Sequence, residues 1–180
     1  MKTGWDKNAG FTIVELLIVI VVIAVLAAIS IVAYNGIQAR SQQSKISADL
    51  AQLKKAITAA RPAAGDLALR SITLSNGTAG TCMSKPAGTD LETLDKNTDT
   101  CWTVYKTSLQ RISDASGINV TGLTDPWGRP YALDENEQEN TATYGPCGLG
   151  RDVVGVYLRP MTGSWGYQSS SQIPYITPGC

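Results

Sequence analysis

The sequence predicts an α+β protein in which one long amino-terminal α-helix packs on a small antiparallel β-sheet head. Three features predict this fold. Residues 16–34 form an apolar run of 19 residues, residues 35–60 are amphipathic, and the remaining chain alternates short β-branched or aromatic segments with turn residues. About 20 apolar residues suffice for a helix to cross the hydrocarbon layer of a membrane. We therefore expect a membrane-spanning first half of the helix, over residues 11–34, and an amphipathic second half, over residues 35–60.

An acid interrupts the start of this apolar segment. Only Ser30 is clearly polar within residues 16–34, yet Glu15 directly precedes them. A carboxylate in a spanning helix costs about 2.5–3.5 kcal/mol at mid-bilayer, so it indicates a function and a partner. A secretory signal peptide has its small-residue cleavage site after the apolar stretch, whereas Ala9-Gly10 precedes it here. An ordinary single-pass anchor has no use for Glu15.

Residues 10–20, Gly-Phe-Thr-Ile-Val-Glu-Leu-Leu-Ile-Val-Ile, resemble the amino-terminal signature of type IV pilins and their pseudopilin relatives. In that family a prepilin peptidase cuts after the glycine, the new terminal phenylalanine is N-methylated, and the apolar helices form the core of a helical filament. The resemblance implies that residues 1–10 are a leader peptide, that Gly10 and Phe11 flank the cleavage site, and that Phe11 is methylated. It also matches Glu15 to the family's buried glutamate. Unlike many members, the chain has no proline between Phe11 and Arg61.

The chemistry of Glu15 agrees with this resemblance. Cleavage after Gly10 would create an ammonium group at Phe11, and Glu15 lies about one helical turn further on. The terminus of a neighbouring, axially shifted subunit would then reach the carboxylate, and a buried ion pair of this kind sets register. We therefore expect Glu15 to set the stagger between subunits in assembly. The alternative is a carboxylate that merely lies at the level of the lipid headgroups.

Composition limits what the rest of the chain does. Residues 61–180 hold nine Lys and Arg against twelve Asp and Glu, a net charge of −3, which gives no strong signal for nucleic-acid binding. The chain has no histidine, so Ser-His and Cys-His nucleophile pairs and histidine metal ligands are excluded. We expect no enzyme activity, no cofactor and no metal. A membrane-anchored enzyme or receptor domain is a remote alternative.

The chain has four cysteines, at Cys82, Cys101, Cys147 and Cys180. None of them form a Cys-x-x-Cys pair of the kind that holds structural zinc. Disulfides fit better and predict that the carboxyl-terminal head faces the oxidising side of the membrane. Of the three possible connectivities we favour Cys82 with Cys101 and Cys147 with Cys180, because each pair brackets one loop-rich stretch. Closing loops of these lengths is expected to stabilise the folded head by about 3 kcal/mol for the first bridge and about 4 kcal/mol for the second. We expect the polar tail, residues 163–180, to depend on the second bridge for its docking.

The second half of the helix carries one apolar stripe. The stripe residues recur at intervals of four and three, and they are Ile46, Leu50, Leu53, Ile57 and Ala60. Arg61-Pro62 is predicted to end the helix, because the residue before proline is disfavoured in helical geometry. Residues 11–60 would then form a helix about 75 Å long. With the head, residues 61–180, this makes a pilin-like ladle.

The head is predicted to be globular, β-rich and disulfide-bonded. Strands are predicted at residues 70–74, 101–106, 129–133 and 153–158, and a helical turn at 109–115. The sharpest motif is a structural turn in which proline and glycine fix the backbone and two aromatic rings clamp it. Its residues are Asp125, Pro126, Trp127, Gly128 and Tyr131. The turn resembles one common in major pseudopilins of type II secretion systems.

That second resemblance raises the question of calcium, which such pseudopilins bind in a later loop. Asp134, Glu135, Glu137 and Glu139 form an acidic run with the oxygen ligands that calcium prefers. An acidic run is more often a solvated loop, and we expect no metal there.

Taken together, the resemblance implies a structural subunit of a type IV pilus, assembled through its hydrophobic helix, for attachment, motility or DNA uptake. The alternative is a pseudopilin of a type II secretion system that forms a short periplasmic piston. The implied partners are other copies of the chain in a helical filament, the prepilin peptidase, a pilus or secretion assembly platform, and the cytoplasmic membrane before assembly. The chain would first be a single-pass membrane protein with its head outside, and then part of an extracellular filament or a periplasmic pseudopilus.

Overall fold

The structure is a computed structural model that describes residues 11–65, 68–75, 77–163 and 165–180, without the side chain of Val32. The predicted leader, residues 1–10, and with it Gly10, lies outside the described residues. The chain divides into two compact units, one up to Gln42 and one from Gln43 onwards. Helix α1 (Ile13–Ala63) belongs to both.

The amino-terminal unit is the first part of α1, and its described side chains from Phe11 to Ser41 are exposed. The helix is long and apolar enough to span a membrane, with a mean hydropathy of 3.4 over its most apolar stretch. Its polar side chain at mid-length, Ser30, donates its hydroxyl to the carbonyl of Leu26 at 2.8 Å and so makes its hydrogen bond within the helix. A helix that is apolar on all sides requires lipid or other apolar helices around it.

In the second unit α1 is amphipathic, as predicted. All five residues of the predicted stripe are buried, and they pack in the main core with residues of the head. The helix continues to Ala63 rather than ending at residue 60. Pro62 is tolerated because it lies in the last turn, where the N–H of Ala64 still donates to the carbonyl of Ala60 at 2.9 Å.

The head contains four further α-helices and three strands among its described residues. Their order is α2 (Leu69–Thr73), α3 (Thr78–Met83), a 3₁₀ turn (Leu91–Thr93), α4 (Thr100–Ser116), β1 (Tyr131–Asp134), α5 (Thr141–Tyr144), β2 (Val153–Tyr157) and β3 (Tyr167–Gln172). The fold is α+β with a small antiparallel sheet, as predicted. The head is more helical than the predicted β-rich one.

The sheet has the order β1-β2-β3, with β2 in the centre and antiparallel to both neighbours. Leu133 of β1 lies opposite Val154 of β2, and both join the core beneath the α1 stripe. A side chain at Gly155 would bring a Cβ within 2.9 Å of the carbonyl oxygen of Ser169. Glycine is therefore needed at this position for β3 to lie close to β2. β1 and β2 confirm the strands predicted at residues 129–133 and 153–158, to within two residues at each end.

Two predicted strands are wrong. Residues 70–74 lie mostly in α2, where Leu69 and Ile72 face the core, and residues 101–106 belong to α4. Aromatic and β-branched residues suggested strands there, but the buried positions of α4 recur with helical spacing. The side chain of Asp99 caps the start of α4 and Gly117, at φ 68°, ends it. The helical turn predicted at 109–115 is the second half of this helix.

Strand β3 was not predicted at all. Its sequence, Tyr-Gln-Ser-Ser-Ser-Gln, has no apolar alternation because its side chains lie outside the main core. Main-chain pairing with β2 orders it instead. The tail that follows buries Ile173 completely, so residues 163–180 are docked by more than a disulfide.

Candidate functional site

The start of α1 is closed by Thr12 and Glu15, which hydrogen-bond to each other. The backbone N–H and the hydroxyl of Thr12 donate to Oε2 of Glu15 at 2.9 and 2.7 Å. The backbone N–H of Glu15 lies 3.2 Å from the Thr12 hydroxyl oxygen. This is a capping box, in which the first and fourth residues of the helix start satisfy each other's free N–H groups. Its Thr-x-x-Glu pattern is readable in the sequence as a helix-start signal.

The capping box gives Glu15 a role within its own chain. An acid in the first turn also interacts favourably with the helix dipole. All three contacts leave the Oε1 atom of Glu15 unused, so the carboxylate can hold the cap and still accept from a second donor. Phe11, whose ammonium is the predicted partner in another subunit, is 81% exposed. The structure thus places Phe11 and Glu15 at the exposed beginning of an apolar helix.

In the head, Asp125 organises the predicted structural turn. Its Oδ1 atom accepts the backbone N–H groups of Trp127 and Arg129 at 3.0 and 2.9 Å, and its Oδ2 atom accepts Nε of Arg129 at 2.7 Å. The Arg129 guanidinium also donates to the carbonyls of Leu158 and Tyr157, at 3.1 and 3.2 Å. Arg129 is buried, which the sequence analysis missed. The sequence signal for this pair was an acid and a base four residues apart across a turn, a spacing that allows the two side chains to meet.

A second set of contacts ties this turn to α1. The hydroxyl of Tyr131 donates to Oδ2 of Asp49 at 2.6 Å, and the ammonium of Lys45 donates to the same oxygen and to the carbonyl of Thr124, at 2.5 and 2.7 Å. Burial and the hydrogen bond to Asp49 raise the pKa of Tyr131, so its hydroxyl keeps the proton that it donates. The turn is therefore a structural clamp on the helix.

The acidic run is used for internal contacts. Asp134 accepts the hydroxyl of Tyr167 at 2.7 Å. Glu135 is fully buried and accepts the N–H and hydroxyl of Thr78 at 2.8 and 2.5 Å and the hydroxyl of Thr73 at 3.1 Å. Burial raises the pKa of Glu135 to about 7. Within the described ranges no three His, Cys, Asp or Glu side chains are placed to hold a metal ion.

The third acid of the run, Glu137, holds the carboxyl-terminal tail. Its Oε1 atom accepts the N–H groups of Ile176 and Thr177 and the Thr177 hydroxyl, at 2.9, 2.7 and 2.7 Å. Its Oε2 atom lies 3.1 Å from the guanidinium of Arg61. Arg61 also pairs with Asp152 and donates to the carbonyl of Pro174 at 2.5 Å.

This Arg61 network is buried. Burial raises the pKa of Asp152 to about 6, while the hydrogen bond from Glu137 N–H and the charge of Arg61 lower it. The network joins the last turn of α1, the start of β2 and the tail. Its members lie up to 113 residues apart, so no local pattern in the sequence pointed to it.

Both disulfides are present, in the pairs that the sequence favoured. Cys82 in α3 bonds Cys101 in α4, with Cα atoms 4.6 Å apart, and both residues are buried in a second, smaller core. Cys147 bonds Cys180, with Cα atoms 5.7 Å apart. The first bridge joins two helices, and the second fixes the end of the tail.

Comparisons with known proteins agree with the helix start. Residues 5–31 match the family described as "Prokaryotic N-terminal methylation motif". The chain is similar to a type IV major alpha-pilin of Moraxella bovis, with 47% identity over 55 residues that cover 31% of this chain and 35% of that one. It is also similar to the type IV major fimbrial protein FimA of Dichelobacter nodosus, with 27% identity over 95% of this chain and 94% of that protein.

A third relative, fimbrial protein Q of Moraxella bovis, is 45% identical over 55 residues, which cover 31% of this chain and 35% of the relative. The two Moraxella matches therefore span about a third of those relatives, whereas the FimA match spans nearly all of that protein. No solved structure matches the chain.

The fold and the helix start define a class of protein with an apolar, acid-bearing amino-terminal helix and a small α+β head. The methylation motif and the relatives agree with that class. The chain is similar to type IV pilins and fimbrial proteins, over its amino-terminal helix in the Moraxella relatives and over nearly its whole length in FimA.

Proposed function

We propose that this chain is a structural subunit of a type IV pilus. The prepilin peptidase would cut between Gly10 and Phe11, Phe11 would be N-methylated, and subunits would assemble through the apolar part of α1. The observation that carries the proposal is the exposed, largely apolar surface of the described side chains in residues 11–34, interrupted near its start by Glu15. This surface requires burial, and filament formation buries it against other copies of the same helix.

In this proposal Glu15 has two successive sets of partners. Before assembly Thr12 holds its Oε2 atom, which partly compensates the charge of a carboxylate near the membrane surface. In the filament the ammonium of a neighbour's Phe11 pairs with the carboxylate and sets the stagger. Membrane anchoring with the head outside, delivery by an assembly platform, and an extracellular filament follow from the same proposal, and so do the filament roles of attachment, motility or DNA uptake.

A pseudopilin of a type II secretion system is the second candidate. The Asp125 turn favours it, because the sequence of the turn resembles one common in that group. The relatives named above are pilins and fimbrial proteins, which favours the pilus. Deleting the gene separates the two functions, since a pilus subunit is required for surface filaments and a pseudopilin for the release of secreted proteins.

The decisive experiment separates the charge of Glu15 from its capping role. Glu15→Gln keeps a side-chain oxygen for the capping box, which accepts either Glu or Gln, but removes the charge. Thr12→Ala removes the two hydroxyl contacts of the capping box and keeps the charge of Glu15. Each variant is co-expressed with the wild-type chain, and mass spectrometry measures its share in membranes and in sheared filaments.

We expect Glu15→Gln to insert and be cleaved normally, but to be about tenfold under-represented in filaments, equivalent to about 1.4 kcal/mol. Thr12→Ala should be incorporated nearly as well as wild type. The same spectra should show a mature chain that begins at Phe11 with one added methyl group. Equal incorporation of Glu15→Gln and wild type would leave Glu15 as a helix cap only, and a mature chain that begins at Met1 would contradict the pilin function.

A further inference from the structure

A cavity of the head is lined by residues at the start of α3, at the end of β1 and shortly before β3. It encloses about 480 Å³, which is within the range of small-molecule sites. Its wall includes two large apolar side chains that are unusually exposed for the head, Trp165 at 67% and Leu149 at 48%. Its polar lining includes Asp134, Asn136 and Glu139.

The floor of the cavity is open because two glycines lie there, one directly before α3 and one within it. Gly77 and Gly80 line it without side chains, and the Trp165 ring passes close to Gly80, where an added Cβ would meet Cη2 at 3.4 Å. The indole therefore rests on the helix and leaves most of its surface exposed. One exposed aromatic residue is ordinary on a protein surface, but one that forms the wall of a cavity provides a π face to a ligand.

The polar groups of the cavity accept hydrogen bonds and carry negative charge. The Tyr167 hydroxyl fixes Asp134 at 2.7 Å. The amide nitrogen of Asn136 donates to the Arg151 carbonyl at 3.2 Å, which leaves its amide oxygen as the acceptor. Burial raises the pKa of Glu139, the charge of Arg70 lowers it, and the nearby charge of Asp134 raises it further.

These properties select for one kind of ligand. Two neighbouring carboxylates repel an anion and attract a cation, and an indole face binds organic cations by the cation–π interaction. A hydrated metal ion gains little from the apolar side chains of Trp165 and Leu149. Among the described residues there is also no group of three or more metal-ligating side chains. We propose that the cavity bounded by Trp165, Asp134 and Glu139 binds an organic ammonium group, either a quaternary ammonium of a small molecule or headgroup or a lysine side chain of another protein chain.

The test uses the full chain in detergent micelles, labelled with 5-fluorotryptophan and observed by fluorine NMR. Trp165→Phe identifies the resonance of Trp165 by its disappearance. The probes are choline and 3,3-dimethylbutan-1-ol, which has the same shape without the charge. Choline should shift the Trp165 resonance saturably at about 1–10 mM, while the uncharged probe should bind at least about tenfold more weakly.

Two pairs of substitutions test the carboxylates. Asp134→Asn with Glu139→Gln keeps side-chain acceptors and size, and should weaken choline binding at least about tenfold without changing the response to the uncharged probe. The control, Asp95→Asn with Asp114→Asn, makes the same change in net charge at two exposed acids and should leave binding unchanged. Trp165→Ala, followed by calorimetric titration with choline, tests the aromatic wall if the acid variants fail to fold.

A comparison of choline with Nα-acetyl-lysine amide distinguishes the two sources of the ammonium group, and tighter binding of either supports the site. Equal responses to choline and to its uncharged analogue would overturn the proposal, because the cavity would then bind apolar groups only. Saturation by Ca²⁺ without any response to the ammonium probes would also overturn it in favour of a metal site. So would the absence of a saturable shift up to about 50 mM.

Discussion

The two halves of helix α1 contrast in what they contact. Up to Ser41 the described side chains are exposed, although most of them are apolar. From Ile46 onwards the helix buries its apolar stripe completely, and even charged residues such as Arg61 are buried and paired. The contrast shows that the head completes its own core, whereas the first half of the helix requires an apolar environment to cover it.

The largest expected effect tests this contrast with one substitution made twice in the same helix. Ile57 is fully buried and Ile23 is 58% exposed. Ile57→Ala should lower the free energy of unfolding of the head by about 2–5 kcal/mol, because it leaves a cavity in the core. Ile23→Ala should leave it unchanged. Urea unfolding in detergent, followed by near-ultraviolet circular dichroism, measures both, and similar losses in the two variants would contradict the division.

A smaller effect is expected from the second disulfide. Replacing Cys147 and Cys180 by Ala should destabilise the head by about 2–4 kcal/mol. The tail should nevertheless stay largely docked, because β3 pairs with β2, Ile173 is buried and Glu137 holds the Ile176 and Thr177 amides.

Hydrogen exchange distinguishes this outcome from the one that the sequence predicted. Amides of β3 and of Ile173 should remain protected in the Cys147→Ala, Cys180→Ala variant, and only those beyond Thr177 should exchange faster. The variant without the Cys82–Cys101 bridge is the control, and its tail should exchange as in the wild type. Loss of protection throughout residues 163–180 would restore the prediction that the bridge alone docks the tail.

The effect that is smallest per step is a dependence of head stability on pH, which accumulates gradually from one pH unit to the next. The pKa of Glu135 is raised from 4.5 to about 7 and that of Asp152 from 3.8 to about 6. Between the ordinary and the raised pKa of each group, the folded chain binds more protons than the unfolded chain. The stability of the head therefore falls as pH rises from the ordinary pKa to the raised one. Each group contributes at most about 1.4 kcal/mol per pH unit, and above about pH 7 the dependence should level off.

Thermal unfolding between pH 4 and pH 8 measures this slope. Glu135→Gln should flatten it most strongly between about pH 6 and 7, where Asp152 no longer contributes. Glu92→Gln, at an exposed acid of the head, is the control and should leave the slope unchanged. A stability that rises with pH across this window would mean that Glu135 is charged in the folded head.

The sequence predicted those elements whose pattern is local. The stripe of α1 repeats with helical spacing, β1 and β2 are β-branched runs between turn residues, and the Asp125 turn contains its own proline and glycine. α4 was predicted as a strand over residues 101–106 because aromatic and β-branched residues were weighed more than its caps, Asp99 and Gly117. Read together, those caps predict the helix.

Other features could not be read from the sequence because they depend on distant contacts. β3 is a polar segment that is a strand only because β2 lies beside it. The Arg61 network joins residues that are brought together by the complete fold. At the helix start, the charge of Glu15 within an apolar segment distinguishes it in the sequence. Its pairing with Thr12 is a separate feature, which the Thr-x-x-Glu spacing of a capping box predicts.

The acidic run has a consequence for how this protein can vary in evolution. An exposed acidic loop usually accepts polar replacements with little effect on stability. Here Glu135 and Glu137 are fully buried and accept backbone N–H groups of α3 and of the tail. Replacing either acid by a residue without an acceptor would leave these N–H groups unpaired and destabilise the head. Polar replacement within this acidic run is therefore restricted at Glu135 and Glu137 by the contacts that these acids make inside the head.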